Sequence, residues 1–503
     1  MLRTIVRNLS ANYIGIAGNI IVAFMLTPFV IRTLGDEMYG IWTIIAALGA
    51  YLTLCDVGLV SAITKYISHG NKLEEQGHVA KVVSCAAVIA IPITLFLFFL
   101  SPFTGQALMR IMNINEAHYK IIVIATMMTT IEVGIFVFAG LFRGIILGLQ
   151  RNDIENLIQL SVLGLRAVGI YLVLSQGFGI LGMAGVMLTC MITASMASFV
   201  FSRKLMPDSK LTPSTVDREG VSTIRKFSGA SFLSMVAGQL IFYSDSFVVG
   251  HYLTAAAVTY YAVAWTLKEY TNSLMVATHR VFIPVFSNLS TGDNETLLSH
   301  FFKSKRYMLV MSNLLCVGLL ILGDRFLAIW LGEKYAVTSG AILMILFAAQ
   351  LIRGPQLISY ALLQGIGKHR LYARLELVFA ILNLLLSIFL VQKMGLIGVA
   401  IATAFTQVAF YGFVSPMLLN QAMGISMATY MKETYGRTLV PAIGLAIVLL
   451  FLKSTYHIDS FIELLSAGAV GGLIYMILVY FTALSGDEKQ WVGNQVVKRL
   501  QRA

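Results

Sequence analysis

Long apolar stretches separated by short polar segments run through the chain from beginning to end. Most of them approach or exceed the roughly 20 residues that an α-helix needs to cross the hydrocarbon core of a bilayer. The pattern predicts fourteen such windows, at about 11–31, 41–63, 82–101, 121–148, 157–175, 180–202, 229–250, 257–279, 307–331, 337–364, 375–391, 395–418, 439–453 and 461–484. The polar segments between them are too short for a folded extramembrane domain, so any function has to reside within the helical bundle.

Composition agrees with this pattern. The chain has 503 residues, of which 58% are hydrophobic and 12% are charged, whereas soluble domains are about 45–50% apolar and roughly 25% charged. These values exclude a soluble enzyme, a disordered chain, a collagen-like fibre and a disulfide scaffold. The four cysteines, Cys55, Cys85, Cys190 and Cys316, lie in apolar stretches, which is typical of small buried hydrophobes rather than of metal ligands or disulfides.

The net charge of +12 is explained by the distribution of lysine and arginine among the polar segments. With the N-terminus in the cytoplasm, 26 basic residues fall on the cytoplasmic side, four of them between the eighth and ninth windows, and 7 on the opposite side. Cytoplasmic loops carry an excess of Lys and Arg, so both termini are predicted to be cytoplasmic. Anionic lipid headgroups are the expected partner of this charge, and no nucleic-acid site is expected.

Three blocks of sequence recur in order at a nearly constant offset. FVIRTLGDEMYGIWTI matches FVVGHYLTAAAVTYYAVAW at an offset of 218, LGLQRNDI matches QGIGKHRL at 217, and GILGMAG matches GLIGVAI at 216. The alternative is chance similarity between apolar helices. A true repeat of six spans restores the starting side of the membrane, so its two copies would be related by a pseudo-two-fold axis along the membrane normal.

The predicted fold is therefore an all-α polytopic membrane protein of about 14 transmembrane helices, with two six-helix lobes and two extra C-terminal helices. We expect the first lobe and its linker at 1–226, the second lobe at 227–420, and the extra helices with a cytoplasmic tail at 421–503. Two lobes facing each other across a cleft suit alternating access better than a pore or a membrane enzyme.

Several of these segments also resemble a known family. NYIG and TPFVIRTLGDEMYGIWTI, CDVGLVSAITKYIS from Cys55, LGLQRNDIEN at the end of the fourth window and RVFIPVFSNLS from Arg280 are similar to polysaccharide-synthesis flippases. These O-antigen (Wzx-type) flippases of lipid-linked oligosaccharides belong to the multidrug/oligosaccharidyl-lipid/polysaccharide (MOP) exporter superfamily. The similarity extends over essentially the whole chain, but its motifs are structural glycines and loop signatures, so it identifies the superfamily better than the substrate.

The resemblance implies a transporter of the bacterial inner membrane. It would move undecaprenyl-diphosphate-linked oligosaccharides from the cytoplasmic to the periplasmic leaflet, driven by an ion gradient and without a cofactor. In this family helices 1, 2, 7 and 8 line the central cavity. The implied setting is a monomer that works beside polysaccharide polymerase and chain-length machinery, and the near alternative is a cation-coupled multidrug exporter of the same superfamily.

Charged side chains at membrane depth are the candidate functional residues, because each costs about 2.5–3.5 kcal/mol to insert. Fixed cations would offset the hydration that a diphosphate loses in the membrane, and the planar fork of arginine can bind phosphate oxygens in pairs. The predicted substrate contacts are Lys268, Arg353 and Arg166. The predicted ion-coupling or ion-pairing carboxylates are Asp245, Glu269, Glu132 and Asp56.

For several of these residues a structural role is the competing interpretation. Asp56 lies in an Asp-x-Gly-Leu sequence that is typical of an organised loop. Lys268 and Glu269 are adjacent, so they point about 100° apart on a helix and one of them is expected to pair sideways. The offset of 217 puts Arg353 one turn from the equivalent of Glu132, so these two either pair with each other or each face their own lobe.

Two further sequence relations bear on Arg353 and Arg166. Gly354 and Pro355 follow Arg353, which predicts a kinked helix beside a cation. The equivalent of Arg166 in the second repeat is Asn383, and polar groups at matched places predict hydrogen bonds between helices.

The sequence gives little support for an enzyme. It contains neither an HExxH pair nor a GxxxxGK[ST] phosphate loop. The longest segment predicted outside, 102–120, holds only one Glu and one His, whereas an enzyme acting on polyprenyl-linked sugars would need clustered carboxylates or histidines. We therefore expect no catalytic site, no metal and no cofactor.

Overall fold

The computed structural model describes residues 2–68, 78–112, 116–207, 211–290 and 292–490, and for 2–14 and part of 226–237 it describes the backbone alone. Within these ranges the regular structure is entirely helical. Some of the predicted cytoplasmic cations, such as those at 491–503, lie outside the described residues, and the membrane orientation stays a prediction. All four cysteines are free, and Cys85, Cys190 and Cys316 are buried.

The chain separates into two compact units, Met1–Ala262 and Val263–Ala503. The first contains α1 (Leu2–Leu34), α2 (Asp36–Leu52), α3 (Leu59–Ser68), α4 (His78–Ile111), α5 (Tyr119–Gly148), α6 (Asn152–Ser175), α7 (Gly179–Leu205), α8 (Arg218–Tyr252) and the start of α9 (Ala255–Leu289). The second contains the rest of α9, α10 (Asn294–Leu331), α11 (Glu333–Gly365), α12 (Arg370–Ala409), a π-helix (Phe410–Val414), α13 (Ser415–Met423), α14 (Met427–Tyr435), α15 (Leu439–Thr455) and α16 (Phe461–Thr482). The predicted lobe boundary at 226/227 concerns the repeat and stays a prediction.

The fourteen predicted windows fall on helical segments, although the window 41–63 is broken between α2 and α3. The count of fourteen spans is not confirmed. Among the described residues, ten segments are long and apolar enough to cross a membrane, or eleven if the bent pair α14 and α15 forms one span. α9 is not among them because polar residues interrupt its apolar run, and neither is α8, part of which lacks described side chains. The windows at 375–391 and 395–418 fall on one helical segment, Arg370–Met423.

Helix ends recur at the offsets of the sequence repeat. α1 and α8 end 218 residues apart, at Leu34 and Tyr252, and α5 and α11 end 217 residues apart. Gly179 begins α7 with φ 55°, and Gly395, 216 residues later, interrupts α12 with φ 60°. Positive φ angles of this size favour glycine, so the matched blocks share a backbone feature as well as a sequence.

The first unit is packed closely enough to require glycine. Gly140, Gly144 and Gly148 form a line on α5 at four-residue spacing, and a Cβ atom at any of them would lie within 2.9 Å of a side chain of α3. Small residues at this spacing let membrane helices approach closely. This contact between α3 and α5 adjoins an apolar core that the two helices share with α4. Ile63 of α3 and Leu141 of α5 are fully buried in this core.

In the second unit, the two C-terminal helices α15 and α16 pack on α10. Their shared core includes Val317 and Ile321 of α10, Leu445 of α15 and Tyr475 of α16. The Tyr475 hydroxyl donates a hydrogen bond of 2.9 Å to the carbonyl oxygen of Val310. The predicted pair of extra helices is thus attached to one helix of the unit.

Ion pairs hold both ends of this attachment. Lys453 of α15 lies 2.7 Å from a carboxylate oxygen of Asp324 on α10. Beyond the other end of α16, Arg306 of α10 donates to both carboxylate oxygens of Glu488, over 2.7 and 2.9 Å. The helix, its two partners and these ion pairs therefore form one continuous body.

Candidate functional site

Arg353 lies in the interior of the second unit, where its side chain is 7% exposed. One of its terminal nitrogens, Nη1, donates a hydrogen bond of 2.6 Å to Oδ1 of Asn272 on α9. Asn272 in turn donates through Nδ2 to Oε1 of Glu269, one turn earlier on the same helix, over 3.0 Å. Glu269 and Arg353, both predicted from the sequence, are thus brought together through an amide that the sequence analysis did not single out.

A second carboxylate reaches Arg353 from α12 through a tyrosine. The guanidinium carbon of Arg353 lies 5.4 Å from the ring centre of Tyr411, within the range of a cation–π contact. The Tyr411 hydroxyl donates to Oε1 of Glu376 over 2.7 Å. Tyr411 belongs to the π-helix Phe410–Val414, and such one-turn bulges occur frequently at functional sites.

We call Glu269, Asn272, Gln350, Arg353, Glu376 and Tyr411 the Arg353 network. Gln350 of α11 joins it through a bond of 3.4 Å from Nε2 to the Asn272 oxygen. Within the described part of the chain, three buried atoms of this network have no hydrogen-bond partner, namely Nε of Arg353, Oε2 of Glu269 and Oε1 of Gln350. The network therefore combines a buried cation with donor and acceptor atoms that a polar ligand can satisfy.

Lys268 is also buried, with 1% of its surface exposed. Its Nζ lies 3.8 Å from the ring centre of Trp265, one turn earlier on α9. Glu269, the next residue, faces Asn272 instead. This agrees with the prediction that adjacent residues cannot share one direction.

In the first unit, Glu132 of α5 and Arg166 of α6 line one cavity of about 220 Å³ between α5, α6 and α7. Their charges interact, and Nε of Arg166 has no hydrogen-bond partner among the described residues. Glu132 belongs to the first unit and Arg353 to the second, and the predicted relation between these two residues stays a prediction.

The same cavity is bordered by an ion pair that the sequence analysis missed. Arg143 of α5 donates through Nε to Oε1 of Glu155 on α6 over 2.8 Å, and Gln159 donates to the same oxygen over 3.1 Å. Arg143 falls inside the fourth apolar window, 121–148, and its side chain lines the cavity. Within this cluster the two arginines are matched by two carboxylates.

The remaining predicted carboxylates have local partners. Asp245 of α8 is buried and accepts a hydrogen bond from the hydroxyl of Tyr261. Asp56 is buried at the break between α2 and α3, next to the backbone amides of Gly58 and Val60. Asp56 thus lies where an organised turn begins α3, the structural alternative that its sequence suggested.

Asn383, the predicted equivalent of Arg166, donates a hydrogen bond of 3.2 Å to Thr403. The two residues lie on opposite sides of the break at Gly395. This bond joins the two halves of α12. It is a hydrogen bond between helical segments of the kind that the match of Asn383 with Arg166 predicted.

Lys305 corrects the assignment from sequence, which placed it in a polar segment between two windows. It lies within α10 and is fully buried, at 0% exposure. Its Nζ donates to Oγ of Ser359 over 2.8 Å and to Oε1 of Gln356 over 3.2 Å, both on α11, and to the hydroxyl of Tyr430 on α14. The apolar window began at 307, two residues too late to include this lysine.

Metal binding was not expected from the sequence. Among the described residues, no group of three or more His, Cys, Asp or Glu side chains is placed to hold a metal ion. Four buried carboxylates, those of Glu155, Asp245, Glu269 and Glu376, accept hydrogen bonds from arginine, tyrosine or amide side chains.

Comparison with known proteins identifies the family of this chain. Residues 5–290, more than half of it, match the model of a family described as polysaccharide biosynthesis protein. The chain belongs to the polysaccharide biosynthesis protein family. This membership confirms the resemblance that the sequence motifs suggested.

Relatives of this polysaccharide biosynthesis protein are distant but extend over most of its length. A protein of Shigella flexneri assigned as an O-antigen transporter is 24% identical, and the match covers 79% of this chain and 94% of that protein. A protein of Haloferax volcanii assigned as a low-salt glycan biosynthesis flippase is 23% identical over 91% of each chain.

Solved structures show the same fold. The lipid II flippase MurJ, in an inward closed conformation, matches with a TM-score of 0.69 at 14% identity, covering 94% of this chain and 99% of MurJ. An inward-facing multidrug resistance transporter of the MATE family, in the MOP superfamily, also has a TM-score of 0.69, at 15% identity over 83% of this chain and 96% of its own. The polysaccharide biosynthesis family member therefore has the fold of the MOP transporters.

Proposed function

We propose that the protein is a secondary-active flippase that moves undecaprenyl-diphosphate-linked oligosaccharide units from the cytoplasmic to the periplasmic leaflet for surface polysaccharide assembly. The observation that carries this proposal is the family match over residues 5–290. Nearly full-length relatives assigned to O-antigen transport and glycan flipping support the lipid-linked substrate. Both relatives are named as transporters or flippases, which supports transport rather than catalysis.

The buried charges supply a mechanism for this function. Arg353 is linked through Asn272 to Glu269, and Arg166 interacts with Glu132, so each arginine has a carboxylate nearby. A diphosphate that enters the unit would exchange with these carboxylates, because arginine binds phosphate oxygens in pairs. The released carboxylates, with Asp245 and Asp56 as further candidates, then become able to bind a coupling cation.

Lys268 would add a second positive charge from the same helix as Glu269. Its stacking on Trp265 keeps the ammonium group in the interior of the unit. A compact ammonium group suits a single phosphate oxygen, whereas the guanidinium of Arg353 suits two.

Reconstituted transport tests the proposal. Purified protein in proteoliposomes is given an undecaprenyl-diphosphate-linked oligosaccharide, and the arrival of glycan in the opposite leaflet is followed with a lectin. We expect Arg353→Ala and Lys268→Ala each to lower the rate at least tenfold while the protein remains inserted, and Tyr475→Phe, which removes a hydroxyl in the packing of α16, to retain it. Full transport by both alanine variants would overturn the cationic mechanism.

A cation-coupled drug exporter is the second candidate, favoured by the equal likeness to a MATE transporter. The same proteoliposomes, loaded with a fluorescent cationic dye, distinguish the two functions. Dye export driven by a proton or sodium gradient, without any movement of the lipid-linked glycan, would support the exporter and exclude the flippase.

We also propose that both termini are cytoplasmic, that the protein works as a monomer near polymerase and chain-length machinery, and that anionic lipids bind its cytoplasmic face. Single cysteines in a chain without native cysteines test the orientation. Asn152→Cys at the start of α6 should react with a membrane-impermeant maleimide only after the membrane is opened, and Gln176→Cys between α6 and α7 should react in intact cells. The opposite pattern would reverse the topology.

A further inference from the structure

Two series of side-chain contacts, which we call arms, link Arg353 to a carboxylate. They differ in the segments of the chain that they connect. The first runs through Asn272 to Glu269, which lie three residues apart on α9. The second runs through Tyr411 to Glu376, which lie 35 residues apart on the π-helix and on α12. The first arm is local to one helix, whereas the second ties together two separate segments of the unit.

The first arm has unused hydrogen-bonding capacity. Oε2 of Glu269 is buried without a partner within the described residues, and so is Nε of Arg353. A buried polar atom without a partner is energetically unfavourable, so a ligand that hydrogen-bonds to these atoms would be stabilised here.

The second arm contacts Arg353 in a different way. Tyr411 offers the guanidinium its ring, at 5.4 Å from the ring centre, while its hydroxyl is engaged by Glu376. The Tyr411 side chain also lies close enough to Arg353 for a hydrogen bond between the two. Tyr411 therefore holds the guanidinium through its ring and its hydroxyl, while Nε of Arg353 stays without a partner among the described residues and can donate to a phosphate oxygen.

The π-helix explains how Tyr411 reaches this place. A π-turn contains an extra residue compared with an α-turn, which shifts the side chains that follow it around the helix axis. Because Phe410 and Tyr411 begin this turn, the ring is set by the bulge on one side and by the Glu376 hydrogen bond on the other. Two constraints on one ring give the guanidinium a fixed support.

We propose that Tyr411 and Glu376 are positioning residues that hold the Arg353 guanidinium in the plane required for two-point binding of a diphosphate. This inference rests on the proposed function and adds that the Glu269 arm is the one that yields to the substrate. Tyr411 and Glu376 act through Arg353 and do not touch the diphosphate themselves.

Binding of farnesyl diphosphate and farnesyl monophosphate to the purified protein in nanodiscs tests the proposal. Two-point binding makes the diphosphate bind more tightly than the monophosphate, and the ratio of the two Kd values reports the orientation of Arg353. We expect Tyr411→Phe and Glu376→Gln to reduce this ratio about fivefold and Glu376→Leu about tenfold, since a hydrogen bond to a charged group is worth roughly that factor or more.

The control is Tyr475→Phe, which removes a buried tyrosine hydroxyl elsewhere in the same unit and should leave the ratio unchanged. The thermal unfolding midpoint of each variant is measured in parallel, because a merely structural role would lower that midpoint without changing the ratio. Tyr411→Phe keeps the ring and should fold, so the test does not depend on the harsher Glu376→Leu.

The outcomes separate this inference from the function on which it rests. If Arg353→Ala abolishes the preference for diphosphate but the Tyr411 and Glu376 variants retain it, the positioning role is wrong and the flippase proposal stands. If Arg353→Ala itself retains the preference, Arg353 is not the anion contact, and both the positioning role and the proposed cationic mechanism fail.

Discussion

Lys305 Nζ and Ser359 Oγ lie 2.8 Å apart between α10 and α11, and the lysine is fully buried. The other hydrogen-bond partners of this ammonium group among the described residues, Gln356 and Tyr430, are also uncharged. The Tyr430 ring centre lies 4.1 Å from Nζ, and that of Phe301 lies 5.3 Å away. Aromatic faces and neutral oxygens thus surround this cation and join α14 to the helices beside it.

Lys305→Met should be far less harmful than Lys305→Ala. Methionine fills a similar volume, and Ser359 and Tyr430 already donate to Gln356 without the lysine, over 2.9 and 3.0 Å. We expect the methionine variant to stay within about 1 kcal/mol of the parent, because well-packed apolar replacements of buried charges are often neutral. Alanine should cost about 2–5 kcal/mol through the cavity it leaves. Thermal unfolding in detergent measures both, and equal losses would mean that the charge itself is required.

Lowering the pH should destabilise the segment after α16, because Glu488 becomes protonated. Burial raises the pKa of this carboxyl, but the Ser485 amide, the Tyr307 hydroxyl and Arg306 outweigh it and lower the pKa from 4.5 to about 2. The stabilisation is therefore complete above about pH 4.5 and is lost as the pH falls toward 2. Unfolding midpoints between pH 6 and 3 should fall less steeply in Glu488→Gln. Identical slopes would exclude Glu488 as the source.

Gly40→Ala should damage the first unit, whereas Gly164→Ala should not. A Cβ at position 40 of α2 would lie 1.7 Å from the carbonyl oxygen of Ala255, a backbone atom that cannot turn aside. At Gly164 of α6 nothing lies within 4 Å, and alanine favours a helix over glycine by about 1 kcal/mol. We expect Gly40→Ala to lower the unfolding midpoint by several degrees and to impair transport. Equal behaviour of the two variants would contradict the close approach of α2 and α9.

Glu132 and Arg166 should be energetically coupled. Removing either charge leaves the other in the cavity between α5, α6 and α7. Each single variant, Glu132→Gln or Arg166→Gln, should therefore lose more than half of the stability that the double variant loses. Neighbouring charges commonly show interaction energies of about 0.5–3 kcal/mol in such cycles. Unfolding midpoints and glycan transport of the four proteins measure the coupling. Strictly additive effects would show that the two residues act separately.

The helical architecture could be predicted because apolar windows are a direct consequence of the bilayer. Window edges could not, because a helix continues past a charge wherever the protein interior satisfies that charge. Lys305 shows this, since its partners on α11 and α14 allow α10 to begin at Asn294, well before the apolar window at 307. Glu376, at the edge of another window, was overlooked for the same reason.

The charged residues of the candidate site could be predicted from the sequence, but the contacts between them could not. Lys268, Glu269 and Arg353 are easily identified because charged residues are rare in membrane helices. Asn272 and Tyr411 do not, because an amide and a tyrosine are common in membrane helices and their importance comes from contacts between helices. Nothing in the local sequence marks the π-helix that sets Tyr411 against Arg353.

The attachment of α15 and α16 to α10 has a consequence that depends on the solvent. In water their apolar seam would hold them together, but acyl chains are as apolar as leucine and would cover the same seam equally well. Close packing therefore acts together with the polar ends, Lys453 with Asp324 and Arg306 with Glu488. It follows that the ion pairs at its two ends add to the packing that keeps the pair α15 and α16 on α10 in lipid, where the apolar effect alone would not.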